Sequence, residues 1–337
     1  MRIAIVGASG YAGLELVRLL STHPEATIVT VTGESSAGKR VATHAPALAG
    51  LVGDLTFAPT SAVHDTDVDT VFLALPHGQS QSVVPALRER GIAVVDLGAD
   101  FRLRNAEDYV TWYGEEHHAP HFLDEAVYGL VERHRTELVS AGLVAVPGCY
   151  PTATSLAMGP FVDAGLVDRH SLVVNALSGV SGAGRSPSER LHFPRMMGNA
   201  EAYGLTSHRH TVEMQREMGA TVLFTPHLIP VSRGMLVTAY ARTTSDLTTA
   251  SALAHLRATY ANDPCVVVVD EPPALKDAVG SNLCFVSARV DERTGWLVGL
   301  SAIDNLVKGA AGQAIQAWNV VNGFGETTGL PLTGVTP

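Results

Sequence analysis

The chain opens MRIAIVGASGYAGLELVRLL, Met1–Leu20. The apolar run RIAIV has the length of a buried strand, and it runs through the glycine turn GASGYAG into GYAGLELVRLLSTH, whose apolar residues recur at helical spacing. A second strand, ATIVTVTG, follows and completes a βαβ unit. Working outward, DTVFLALP and GIAVVDLG read as further strands on either side of a helix-like SQSVVPALRER. This alternation predicts a Rossmann-type doubly wound parallel sheet, an α/β domain spanning residues 1–148.

The glycine turn carries the first chemistry. Gly7, Gly10 and Gly13 lie between strand and helix, where glycine permits a tight turn and close approach of a pyrophosphate to the helix terminus. Gly7, Ser9, Gly10, Tyr11, Ala12 and Gly13 are therefore the candidate dinucleotide contacts. The second strand runs into TGESSAGKR. Glu34 suits the ribose hydroxyls of NAD, whereas Ser35, Ser36, Lys39 and Arg40 suit a 2′-phosphate. Two hydroxyls and two cations in one short loop favour NADP.

After residue 148 the pattern changes to longer, alternating strands: SLVVNALSG, MLVTAYART, PCVVVVD, NLCFVSARV and WLVGLSAID. They predict an α+β catalytic and oligomerisation domain over 149–304 with a mixed or antiparallel sheet. A last helix, residues 305–323, is expected to pack back on the first domain.

Composition narrows the classes. The 337 residues are 46% hydrophobic and 17% charged with a net charge of −10, and no basic run offers a face for nucleic acid. No apolar run reaches the roughly 20 residues of a membrane span, and the opening strand leaves no place for a signal peptide. Three dispersed cysteines make no disulfide framework and suit a reducing cytoplasm.

The cysteines differ in setting. Cys265 and Cys284 sit inside apolar strands and read as small buried hydrophobes. Cys149, in VPGCYPTATSLAMG, follows a strand end and starts a helix, where the dipole favours a thiolate. It is the candidate nucleophile. Its acid/base partner is sought in TSHRHTVEMQREM. Thr206 or Ser207 is expected to cap a helix there, so that His208 and His210 point roughly opposite ways and His208, nearest the terminus, is mostly neutral at pH 7. The histidine-rich EEHHAPH, Glu115–His121, lacks the spacing of a helical zinc site and reads as a solvated loop; no metal is expected.

Together GASGYAG, LALPHGQS, DLGADFR, VPGCYPTA, SGVSGAGR, HRHTVE and AIDNLVKGAAG resemble the N-acetyl-γ-glutamyl-phosphate reductases, arginine-pathway relatives of aspartate-semialdehyde dehydrogenase. The motifs occur in family order over nearly the whole chain. The resemblance implies NADPH-dependent reductive dephosphorylation of an acyl phosphate through a Cys149 thioester, with His208 as acid/base. It also implies that Pro76, Ser181, Gly182 and Asn305 contact the cofactor, and that the enzyme is a homodimer or homotetramer. Glu34 departs from the pattern, since many relatives carry a basic residue there. Arg102, Arg185, Arg209 and Lys308 are candidates for the substrate's phosphate and carboxylate, Arg185 and Lys308 being favoured for phosphate, and Glu213 joins them as a substrate contact. Two rivals stay open on the residues alone: an aspartate-semialdehyde dehydrogenase, and an NADP-sensing protein with no chemistry.

Overall fold

The computed structural model describes residues 1–335. The chain divides into two compact units, Met1–Pro147 with Ala310–Leu330, and Gly148–Gly309 with the stretch beginning at Pro331.

The first unit is built on seven strands: β1 (Arg2–Val6), β2 (Thr27–Thr32), β3 (Phe57–Ala58), β4 (Thr70–Leu73), β5 (Ala93–Asp96), β6 (Ala126–Tyr128) and β7 (Leu143–Ala145). Their order is β3-β2-β1-β4-β5-β7-β6, and every pairing is parallel. A sheet covered on both faces needs strands that are apolar throughout, and Ile3–Val6 and Val71–Leu73 are completely buried. Strand order reverses at β1, which has β2 on one side and β4 on the other, so the loops leaving β1 and β4 flank the crevice where such sheets bind ligands. The C-terminal helix, Gly312–Val321, belongs to this unit: Trp318 is fully buried, donates from Nε1 to Thr70 Oγ1 at 3.2 Å and meets Phe72 edge-on.

The second unit carries β8 (Leu172–Gly179), β9 (Glu201–Ala202), β10 (Val222–Ile229), β11 (Met235–Arg242), β12 (Val266–Val268), β13 (Cys284–Asp291) and β14 (Trp296–Ile303). The order is β12-β13-β14-β11-β8-β10-β9, mixed because β8–β10 and β12–β13 are parallel and the rest antiparallel. Burial alternates along β8, β10 and β11, giving one fully covered face. The helix Cys149–Asp163 packs there, with Tyr150–Val162 all buried. It lies so close to β14 that a Cβ on Gly299 would stand 2.4 Å from Met158 Sδ. Ser301 Oγ bonds the Ala153 carbonyl at 2.7 Å, and Tyr260 O–H bonds that of Leu156 at 2.6 Å.

Several expectations need correction. Strand β10 is absent from the sequence reading, because Pro226 interrupts its apolar alternation and proline cannot donate to a ladder. The EEHHAPH segment is not simply solvated: His117 is buried, with Nε2 against the Asp100 carbonyl at 2.7 Å, and Phe122 is buried beyond it. Residues 305–323 are not one regular helix; a π-type turn, Val307–Ala311, precedes Gly312–Val321.

Candidate functional site

In the first unit, Gly7 has φ of +78°, and a Cβ there would lie 2.4 Å from the Ala74 carbonyl oxygen. Gly13 is equally constrained, with a Cβ 2.4 Å from the Gly7 oxygen, so the helix Tyr11–Leu20 can approach the turn only without a side chain. Gly10 differs. Its Cβ would meet nothing nearer than 3.6 Å, so the protein's own packing does not require glycine there, whereas close approach of a pyrophosphate would. Gly10 caps the helix with no side-chain hydrogen bond, and the first turn holds no acid, which leaves its N–H groups suited to an anion. Ser9 lies beneath Gly33, where a Cβ would stand 2.9 Å from Ser9 Oγ.

Beyond β2 the short turn Glu34–Ser36 presents Ser35 and Lys39 to solvent, while Ser36 is buried. The Glu34 carboxylate accepts the Thr60 N–H at 2.9 Å, which holds its pKa below the usual carboxylate value. Arg40 is paired with Asp54. These residues fit a 2′-phosphate held by Ser35 and Lys39 better than one held by Arg40.

The loop after β4 carries Pro76, His77 and Gly78, and Asp100 organises it. Its carboxylate accepts Gly78 N–H at 2.7 Å and Ser80 N–H at 2.9 Å, with His77 Nδ1 2.7 Å away. Burial pushes Asp100 up, but His77 and these donors outweigh it and the net shift is down. Neighbouring Asp96, fully buried and repelled by Asp100, is pushed up to about 7. Arg102 is half-buried, with Nη2 donating to the Leu97 carbonyl at 2.9 Å.

In the second unit Cys149 is the first residue of its helix, with Gly148 as the cap in extended conformation. The Gly148 N–H donates to Glu213 Oε1 at 2.8 Å, while its carbonyl receives both Thr152 N–H and Thr152 Oγ1 at 3.0 Å. Gly309 closes over the cysteine: a Cβ there would stand 2.7 Å from Cys149 Cβ. Asn305 ties a second loop to the same π-type turn, accepting Gly234 N–H at 2.8 Å and donating to Ser181 Oγ at 2.9 Å. A Cβ on Gly182 would lie 3.7 Å from Asn305 Nδ2, so Ser181 and Gly182 cluster with Asn305, more than 120 residues further along the chain.

His208 is enclosed by rings. Tyr150, Tyr203, Phe224 and His210 have centroids 5.5, 5.4, 5.3 and 4.9 Å from it. Burial, and then the Arg209 charge, push it down to about 4. The expected helix cap is wrong: the helix is His210–Met218, neither Thr206 nor Ser207 caps it, and Thr206 adopts φ of +59°. His208 thus precedes the helix, its low pKa comes from burial rather than the dipole, and the two imidazoles lie together beside Tyr150 instead of opposing each other. His208 Nδ1 accepts the His210 N–H at 3.1 Å, so the neutral ring carries its hydrogen on Nε2.

Tyr150 and Tyr203 share a hydroxyl hydrogen bond of 2.9 Å. Burial raises both phenols, that of Tyr203 to about 12, and the Cys149 charge adds to each shift, which puts both hydroxyls in the field of the thiol. Among the candidate substrate cations, Arg185 and Arg209 are exposed and Lys308 is completely buried. Glu213 is buried as well, occupied with Gly148. Sequence reasoning missed Tyr150, Tyr203, Gly309 and Arg190. The Arg190 guanidinium stacks 4.5 Å over the Tyr203 ring, and its Nη2 is buried with no hydrogen-bond partner among the described residues. Adjacency to Cys149 was a signal for Tyr150; nothing local marks the others. No group of three or more His, Cys, Asp or Glu is placed to hold a metal among the described residues.

Comparison with known proteins fits this geometry. Residues 2–141 match the semialdehyde dehydrogenase NAD binding domain and residues 149–305 the semialdehyde dehydrogenase dimerisation domain. The chain is 44% identical over 349 residues to the N-acetyl-γ-glutamyl-phosphate reductase of Magnetococcus marinus, covering 100% of this chain and 99% of that one. It is 44% identical over 346 residues to that of Brevibacillus brevis, covering 100% of both. Among solved structures, aspartate semialdehyde dehydrogenase II of Vibrio cholerae shares the fold at TM-score 0.72 and 18% identity, over 95% of this chain and 98% of that one. The enzyme of Candida albicans solved with NADP does so at TM-score 0.68 and 17% identity, over 95% and 98%. The chain belongs to the semialdehyde dehydrogenase family and, within it, to the N-acetyl-γ-glutamyl-phosphate reductases, a family of oxidoreductases.

Proposed function

We propose that the protein reduces N-acetyl-γ-glutamyl phosphate to N-acetylglutamate 5-semialdehyde and inorganic phosphate, an arginine-biosynthetic step, with NADPH as donor. The observation that carries this is Cys149 at a helix N-terminus, beneath Gly309, with the ring of its chain neighbour Tyr150 set against the His208 imidazole. The Cys149 thiolate attacks the acyl carbon, the C–O bond to phosphate breaks, and a thioester forms as phosphate leaves. NADPH, when bound at the Gly7–Gly13 turn, supplies the hydride that reduces this thioester. Hydride addition leaves a hemithioacetal alkoxide, whose C–S bond breaks to release the aldehyde and restore the thiolate, and the proton consumed overall goes to the departing phosphate.

His208 serves this chemistry as a donor. Its Nε2–H suits an oxygen that gains negative charge, whether the tetrahedral oxyanion or the departing phosphate. Because Nδ1 is already accepting the His210 N–H, accepting the thiol proton falls more naturally to His210, the other imidazole beside Tyr150. The exposed Ser35 and Lys39 support NADP over NAD. Arg190 joins Arg102, Arg185, Arg209 and Lys308 as a candidate for the substrate's carboxylate or phosphate.

A homo-oligomer is supported by the second sheet. The face of β8, β10, β11 and β14 that carries Leu177, Leu223, Leu236, Tyr240, Val298 and Leu300, interspersed with Asn175, Thr225, His227 and Thr238, leaves each of these apolar residues at least partly exposed. Three cysteines dispersed along the chain suit a reducing compartment such as the cytoplasm.

NADPH oxidation measured side by side with acetylglutamyl phosphate and aspartyl phosphate tests the assignment. Turnover on the first with little on the second is expected. The reverse preference makes the protein an aspartate-semialdehyde dehydrogenase, and no turnover on either sinks the acyl-phosphate reading.

A further inference from the structure

We infer that Glu213 is a positioning residue, fixing through Gly148 the backbone that aims the Cys149 thiol. The inference rests on the assignment of Cys149 as the nucleophile but not on the identity of the substrate.

Three observations converge. Glu213 is 2% exposed and lies on the helix His210–Met218, three residues after His210. Its Oε1 accepts the Gly148 N–H at 2.8 Å. Gly148 has no side chain and caps the nucleophile helix with no side-chain hydrogen bond of its own, so it brings no means of holding its conformation. With the carbonyl bonded to Thr152 and the N–H to Glu213, both polar groups of Gly148 are fixed, and Gly309 limits the cysteine at Cβ. One carboxylate therefore locks the strand-to-helix turn that presents the thiol to the helix that begins at His210.

Charge argues the same way. A carboxylate this near the thiol opposes formation of the thiolate, so its negative charge is a poor reason for its place. What the site uses is the acceptor oxygen at that reach. A buried N–H left without an acceptor is unfavourable, and Gly148 relieves it by turning toward another partner. Misplacing a nucleophile by about 1 Å costs on the order of 10²-fold in rate.

A charge-against-reach comparison separates this role from direct contact with substrate. Glu213→Gln keeps the acceptor at full length and removes the charge; Glu213→Asp keeps the charge and withdraws the oxygen by one methylene. Positioning predicts that Glu213→Gln retains kcat within about fivefold, that Glu213→Asp loses about 10²-fold, and that KM for NADPH is unchanged in both. Iodoacetamide labelling of Cys149 without substrate provides the second readout, with Glu213→Gln following wild type and Glu213→Asp deviating at least fivefold. If wild type fails to reduce acetylglutamyl phosphate yet labelling shows this pattern, the substrate assignment falls and the positioning role stands. Loss in Glu213→Gln, or no labelling change in Glu213→Asp, overturns it. Far-ultraviolet circular dichroism confirms folding, and should Glu213→Asp not fold, Glu213→Ala takes its place with the same expectation.

Discussion

Replacing Gly309 with alanine sets two effects against each other. Gly309 has no positive φ, and its N–H bonds the Asp304 carbonyl at 2.9 Å inside the π-type turn, so alanine is conformationally acceptable there. By helix propensity alone the change gains about 1 kcal/mol. The new Cβ, however, would stand 2.7 Å from Cys149 Cβ and 3.3 Å from both the Asp304 carbonyl oxygen and Ile303 Cδ1. Carbon atoms prefer about 3.5–4.0 Å, so the cysteine or the turn must yield by about 1 Å. Overpacking of this kind costs about 1–3 kcal/mol, and the net destabilisation is expected at about 0–2 kcal/mol. Stability thus changes little. Catalysis changes much more, because the atom displaced carries the nucleophile: kcat should fall on the order of 10²-fold while KM for NADPH holds. Steady-state NADPH oxidation and thermal unfolding of the two proteins measure both quantities. A kcat within threefold of wild type would refute the claim that Gly309 sets the position of Cys149.

Four further outcomes are expected. Cys149→Ser should lose turnover by several orders of magnitude with NADPH affinity intact, as read by activity and cofactor fluorescence titration; activity within tenfold of wild type removes the nucleophile. His208, neutral in the fold down to about pH 4 but titrating near 6.5 when unfolded, contributes stability that is fully present above 6.5 and lost as pH falls through 4. That contribution is at most about 3 kcal/mol, and in urea unfolding at pH 7 and pH 4.5 a His208→Asn variant should lose less stability on acidification than wild type. Semialdehyde oxidation, the reverse reaction, should require inorganic phosphate and saturate with it, whereas a rate unchanged at zero phosphate and constant ionic strength would mean that water resolves the thioester. Lys39→Ala should raise KM for NADPH about tenfold with NADH unaffected, and equal effects on both would place the 2′-phosphate elsewhere.

Much of the first unit was legible because its signals are local. RIAIV followed by three glycines names a strand, a turn and a helix within 20 residues, and the steric need for glycine at position 13 comes from Gly7 and Ala8 in that same segment, although that at position 7 comes from Ala74, just past β4. The histidine region misled for the opposite reason. Thr206 and Ser207 look like caps, but the helix starts at His210, where Arg209 precedes it without any side-chain cap. The environment that sets His208 is supplied by Tyr150, Tyr203 and Phe224, and none of these is within four residues of it.

What the sequence alone determined, then, is the class of fold and the chemical inventory: a dinucleotide turn, a thiol at a helix start and a pair of imidazoles. Those depend on periodicity and on residues adjacent in the chain, so short windows carry them. Only the tertiary structure decided how the inventory is arranged. The sequence places Glu213 three residues after His210, and only the fold bonds its carboxylate to Gly148, 65 residues away. The sequence marks Lys308 as a cation within a motif, and only packing shows that it is completely buried. Gly309 passed unremarked, although it is the residue that lets the chain close over Cys149. Each of these outcomes depends on burial and on contact between segments distant in sequence. Side-chain type fixes which bonds a residue is able to make, and packing selects which of them it makes.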